Sequence, residues 1–174
     1  MLWILRKIRD EGTYLDGRKM KSPPQLFLGA AASPFASEPK FQAIREQKKV
    51  NAGAQFFQTN LIFDPQGLDN WLEEIHKRNF LDKVYILAGV APVKSLKMAR
   101  YLNNNVPGVS IPERLLKRFE AVKDESQQEV GVQIALEIIE SVKNKQGING
   151  IHIMSVGWES IVPRLVKESG LNYN

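Results

Sequence analysis

Apolar residues in this chain fall into short continuous runs separated by longer stretches in which they recur every three or four positions. The short runs are Leu26–Ala32, residues 55–63, Val84–Val90 and Ile151–Val156. Runs of that length without alternation read as strands buried on both faces, the pattern of a parallel sheet. The spaced stretches read as amphipathic helices. Residues 1–12 place Leu2, Leu5 and Ile8 on one face, with Ile4 close by, and Gly12 ends the helix. A second helix spans 39–51. A third opens at Asp64-Pro65, a good cap followed by a first-turn proline, and runs to about Arg78 with Leu68, Trp71, Leu72 and Ile75 on one side. Further helices are expected over 94–104, from Pro112 to about Val122 with Ser110 as its cap, from about Ser126 to Lys145, and over Trp158–Ser169, where Pro163 is expected to kink or interrupt the helix. Residues 13–24 read as a polar loop closed by Pro23-Pro24, and Gly147 and Gly150 bracket a turn.

Four apolar strands alternating with helices predict an α/β fold with a parallel sheet built from right-handed βαβ units. Four such units make half of a (β/α)8 barrel, and a free-standing four-stranded sheet is the alternative. No linker or shift of composition divides the chain, so residues 1–174 are expected to form a single domain.

The most informative segment is Val50–Asp64, VNAGAQFFQTNLIFD. Gly53 stands where a helix hands over to a strand, a place that often requires positive φ. Inside the strand, Gln58-Thr59-Asn60 interrupts an apolar run. Buried polar side chains need partners. Either these three face a ligand cavity at the end of the strand, or they bond to neighbours within an ordinary sheet.

Charge changes the picture little. The net charge is +5, and about half of the excess lies in residues 1–24. There is no basic stripe interleaved with exposed aromatics, so nucleic acid is not an expected partner. An anionic small molecule suits the modest excess better. No apolar run is long enough to span a membrane. The apolar-then-charged N-terminus has the reverse order of a secretory signal. Cysteine is absent, and His76 and His152 are not spaced as metal ligands. A cytoplasmic protein without metal is the expectation.

The strand ends carry a resemblance. Gly29-Ala30-Ala31-Ala32-Ser33-Pro34, then Lys49-Val50-Asn51-Ala52-Gly53-Ala54 with Thr59-Asn60 and Phe63-Asp64, then Ala88-Gly89-Val90-Ala91-Pro92-Val93, and finally Ile111-Pro112, Leu115-Leu116 and Glu129-Val130-Gly131 occur in the order seen in the methylenetetrahydrofolate reductase family. The chain resembles the C-terminal half of that flavin-dependent barrel over roughly residues 26–171, in a divergent form similar to the branch found in anaerobic one-carbon pathways. The resemblance implies reduction of 5,10-methylenetetrahydrofolate to 5-methyltetrahydrofolate through a bound FAD, with FMN as the other candidate. Reduced nicotinamide or a partner redox protein would be the electron donor.

By the same resemblance, Ala31 and Ser33 would lie against the flavin, and Arg45, Lys48 and Lys49 would meet its phosphates. A solvated helix face is the alternative for these cations. Thr59 would sit beside the flavin. Asn60 matches a glutamine that contacts flavin and substrate. Met98 and Leu102 stand where other members use polar and aromatic residues against the substrate, and helix core is their alternative. Trp158 departs from the usual ending of the last strand, either stacking on ligand or capping the barrel. The family's glutamate acid and its aspartate near the flavin have no counterpart in this chain, and Met1 aligns inside the fourth unit's helix. The expectation is therefore a half-barrel that self-associates or joins a separate N-terminal half, and that reduces its substrate only when completed. The alternatives are a non-catalytic binding or assembly subunit and a pterin-dependent methyltransferase-like barrel.

Overall fold

The computed structural model describes residues 1–171; residues 172–174 of the expected single domain lie outside the described residues. Four strands, β1 (Gly29–Ala32), β2 (Phe56–Leu61), β3 (Tyr85–Val90) and β4 (Gly150–Ile153), form one sheet in sequential order, all parallel. Helix α1 (Leu2–Glu11) precedes them, α2 (Pro39–Asn51) follows β1, and α3 (Pro65–Lys77) follows β2. Three helices follow β3, namely α4 (Leu96–Asn105), α5 (Glu113–Glu120) and α6 (Gln127–Val142), and α7 (Val162–Glu168) follows β4. The architecture is four βα units of a (β/α)8 barrel, as the pattern of apolar runs predicts.

The local signals act as expected at several ends. Gly12 closes α1 with φ 62, and Gly53 turns α2 into β2 with φ 112. Asp64 caps α3, accepting the Gln66 N–H at 3.2 Å. Other boundaries differ. Strand β1 begins at Gly29 rather than Leu26, and β4 ends at Ile153 rather than Val156. Ser110 does not cap α5. Its N-cap position is Pro112, without a side-chain bond. Pro163 does not kink a long helix, because it lies in the first turn of α7, where its missing N–H costs nothing.

One face of the sheet is packed against the helices. Ala32, Phe57, Ile86, Ala88 and Val90 are fully buried there, against Leu68, Trp71, Ile75, Ala135 and Ile139. The other face, which lines the interior of a closed barrel, is open. Phe27 stacks on Phe56 at 5.2 Å and tilts against Tyr85 at 6.1 Å. Phe27 and Tyr85 remain 57% exposed. Both sheet edges, β1 and β4, have no strand partner among the described residues.

Helix α6 ties the helical layer together. Arg118 on α5 grips Glu137 at 2.6 and 2.8 Å, and Arg164 on α7 grips Glu129 at 2.7 and 2.8 Å. The Arg164 hydrogen bonds, helped by Gln133, hold the Glu129 carboxyl down to about 2. A lowered folded-state value means that the pair stabilises the fold above the ordinary carboxylate range and loses that effect as pH falls toward 2. The pair is exposed, so the effect is small and salt-sensitive. Arg164→Ala should lower the melting temperature slightly at pH 7 and not at pH 2. An equal drop at both pH values would show that packing, not charge, is responsible.

Candidate functional site

The C-terminal ends of the strands are formed by four loops, residues 33–38, 62–64, 91–95 and 154–158, where (β/α)8 folds place their chemistry. At β1 the run of alanines leaves the inner edge low: Ala31 is exposed, Ala32 is buried and Ser33 is half-buried at the turn. On α2, Arg45 and Lys48 are exposed. Lys49 turns back to the sheet edge. Its Nζ donates to the Ala31 carbonyl at 2.6 Å and lies 3.4 Å from Oε1 of Glu46. Glu46 is only 1% exposed, and its Oε2 has no partner among the described residues. The i, i+3 spacing of Glu46 and Lys49 was the signal in the sequence for this pair. Lys49 therefore links α2 to β1 and also partly neutralises a buried acid.

The polar triplet of β2 divides. Gln58 is exposed on the open face, whereas Thr59 is 2% exposed. The pairing of β2 with β3 shifts register between Gln58 and Leu61. The Thr59 hydroxyl fills the gap, accepting the Gly89 N–H at 2.8 Å and donating to the Asn60 carbonyl at 2.8 Å. A β-bulge thus accounts for a threonine inside an apolar strand, and its hydroxyl has backbone partners on both sides. Asn60 is half-buried. Its Nδ2 donates to the Pro107 carbonyl at 3.0 Å, and its Oδ1 accepts the Leu61 N–H at 2.9 Å. The amide expected to reach a ligand is used to fasten the 106–112 segment to the end of β2. Leu102 is 7% exposed and belongs to the core, and Met98 is half-buried against it.

Two residues at the rim were not expected. Lys94, directly after the Val90–Val93 anchor, donates to the Gly157 carbonyl at 2.5 Å and lies 5.7 Å from the Trp158 ring centre. His152 lies on the inner face by strand alternation, and its Nδ1 is buried without a partner among the described residues. The 91–95 loop is set by α6. Gln127 accepts the Leu96 N–H at 2.9 Å, and Gly131 lets the Val93 carbonyl approach the helix backbone closely.

Among the described residues, no cluster of three or more His, Cys, Asp or Glu is placed to hold a metal ion. No helix among the described residues is long and apolar enough to cross a membrane. Two hollows of about 490 Å³ lie at the opposite end of the sheet, around Leu81, Gln146 and His76, and one of about 620 Å³ lies between Arg9 and the Pro23–Phe27 segment.

Comparison with known proteins agrees with this geometry. The profile of the family described as Methylenetetrahydrofolate reductase matches residues 24–170, across all four βα units. The chain is 29% identical over 131 residues to Methylenetetrahydrofolate reductase 2 of Schizosaccharomyces pombe, covering 71% of this chain and 20% of that protein. It is 22% identical over 125 residues to Methylenetetrahydrofolate reductase 2 of Saccharomyces cerevisiae, covering 70% of this chain and 20% of that one. The chain thus spans about a fifth of the length of these curated relatives. Among solved structures, an uncharacterized protein from Clostridium thermocellum that binds two copies of 5-methyl-5,6,7,8-tetrahydrofolic acid superposes with a TM-score of 0.62 at 20% identity, over 84% of this chain and 53% of that one. With the profile match spanning every strand end described above, the chain belongs to the methylenetetrahydrofolate reductase family.

Proposed function

We propose that this chain contributes the C-terminal part of a flavin-dependent site that reduces 5,10-methylenetetrahydrofolate to 5-methyltetrahydrofolate. The observation that carries the proposal is the family match across all four βα units. The folate-type ligand of the structural neighbour supports the substrate class. Reduced nicotinamide or a partner redox protein would be the electron donor. The reaction requires the open sheet face to be covered by an N-terminal half of the barrel, since a proton donor for ring opening has to come from outside these four units and a second copy would not bring one.

The residues at β1 and α2 fit a flavin, with FAD preferred over FMN. Ala31 is exposed with only a methyl group at the sheet edge, so backbone can approach a flat ring. Arg45, Lys48 and Lys49 lie on the neighbouring helix, within one turn and a half, as cations for phosphate. Bound there, a flavin would supply the hydride-transfer chemistry. Thr59 would act by fixing Asn60 and Gly89 through its hydroxyl rather than by touching the ligand. Asn60 would present an amide edge only after releasing Pro107. That engaged amide and the buried Leu102 favour a second reading, in which the half-barrel binds or assembles without catalysing.

The test is flavin retention. The chain is mixed with FAD and gel-filtered, and the visible absorbance of oxidised flavin is followed. Retention supports the flavin site, and a folded protein that emerges colourless counts against it. Lys49→Ala should abolish retention and also lower stability by about 2 kcal/mol, because the Ala31 carbonyl and the Glu46 carboxylate lose their cation. Adding Glu46→Gln should restore stability but not retention. Recovery of both would show that Lys49 serves only to neutralise Glu46.

A further inference from the structure

Successive residues of a strand turn their backbone N–H and C=O groups to opposite sides. In β1 the Leu28 carbonyl accepts from the Gln55 and Phe56 N–H groups at 2.7 and 3.3 Å, so it points toward β2. The parallel register, with Gly29 beside Phe56 and Ala31 beside Gln58, continues that alternation. The groups of Ala30 and Ala32 therefore face β2, and those of Gly29 and Ala31 face the other side. That side is the free edge of the sheet, where β1 has no strand partner among the described residues. Gly29 and Ala31 are both exposed. An edge of this kind is a template for a further strand, and proteins block such edges with charge, proline or a covering element. The chain carries no charged residue from Ser22 to Ser37, so β1 has no charge of its own to do this.

The charge comes from α2 instead. Lys49 Nζ donates to the Ala31 carbonyl at 2.6 Å, which is an acceptor of the free edge. The ammonium is held there by Glu46 Oε1 at 3.4 Å, and Glu46 is itself only 1% exposed. An incoming strand would have to take the Ala31 carbonyl with its own N–H. It would also have to desolvate an ammonium or push it aside. A lysine anchored by a buried acid resists that more than a freely rotating one, because it leaves the carboxylate without its cation when it moves.

We infer that Lys49 guards the free edge of β1 against pairing with a second copy of this chain. Any strand that does extend the sheet at this edge has to displace it, so pairing at Ala31 and the Lys49–Ala31 bond exclude each other. An ammonium has three donors, and Ala31 and Glu46 occupy two of them. The guarding role therefore stands whether or not a flavin binds.

The experiment follows amide hydrogen exchange of Gly29 and Ala31 by nuclear magnetic resonance at low and high protein concentration, with sedimentation for particle size. Glu46→Gln serves as the background, so that no variant leaves a buried acid without its cation. Lys49→Met in that background removes the donor and keeps the length, Lys49→Arg keeps a donor, and Lys49→Gln is a polar side chain too short to reach Ala31. Melting curves establish that each variant is folded. In the wild type, in Glu46→Gln and in the arginine variant, exchange at both amides should not depend on concentration. In the methionine and glutamine variants it should slow about tenfold at high concentration, together with a larger sedimenting species, and recover on dilution. Concentration-independent exchange in both of those variants would overturn the inference. So would slowed exchange at high concentration in the wild type, since the edge would then pair despite Lys49. Failure to retain flavin, tested separately, leaves these expectations unchanged.

Discussion

Gly131→Ala should destabilise the chain by about 3 kcal/mol, although alanine is the better helix former. Gly131 lies within α6, where the exchange would by propensity alone gain about 1 kcal/mol. A methyl group there would sit 1.7 Å from the Val93 carbonyl oxygen and 2.8 Å from its carbon. Neither side can withdraw. The Val93 backbone belongs to a five-residue loop anchored at one end by Val90, whose carbonyl accepts from Met154, and at the other by the Gln127–Leu96 bond. On its side, α6 is fixed by fully buried Ala135, Ile139 and Val142 and by its ion pairs to α5 and α7. Urea unfolding followed by circular dichroism gives the measurement. A midpoint that stays put or rises would mean the loop yields more readily than its anchors imply.

The frame of the fold was legible because strand and helix periods differ, and each apolar run was long enough to show which applied. Gly12, Gly53 and Asp64 were legible for a local reason, since each end is decided by one residue's backbone or side chain. The errors arose where partners distant in sequence decide. Leu26–Leu28 looks like strand, yet β1 starts at Gly29, although the Leu28 carbonyl already accepts from Gln55. The Thr59 bulge was invisible because strict alternation assumes no extra residue, and only the register against β3 reveals it. The strap from Lys94 to Gly157 joins residues 63 positions apart, with no local pattern to announce it. The resemblance named the right family, but it described Asn60 by its chemical type. The structure adds that this amide is already bonded to Pro107 and Leu61.

Gly89→Ala should cost about 3 kcal/mol and act on the site as well as on stability. A Cβ at Gly89 would lie 2.5 Å from the Thr59 carbonyl oxygen, 2.9 Å from that of Asn60 and 2.6 Å from Cε of Met154. The methionine is flexible and can move aside, but the two carbonyls are backbone inside the bulge. Gly89 also completes the bulge. Its N–H bonds the Thr59 hydroxyl at 2.8 Å and its carbonyl accepts the Ile62 N–H at 2.9 Å. Forcing the strands apart would break both bonds and leave the buried Gly89 and Ile62 N–H groups unpaired. Asn60 would then lose its fixed position against Pro107, and with it the loop that closes the rim over β2. Adding Met154→Ala separates the causes. If the side chain were the obstacle, the double variant would recover the wild-type urea midpoint and the slow amide exchange of Gly89. No recovery is expected, because the carbonyls remain. Slow amide exchange at position 89 in the single variant would show that the bulge accepts a methyl group, and that glycine here serves the space taken by Met154 rather than the register of β2.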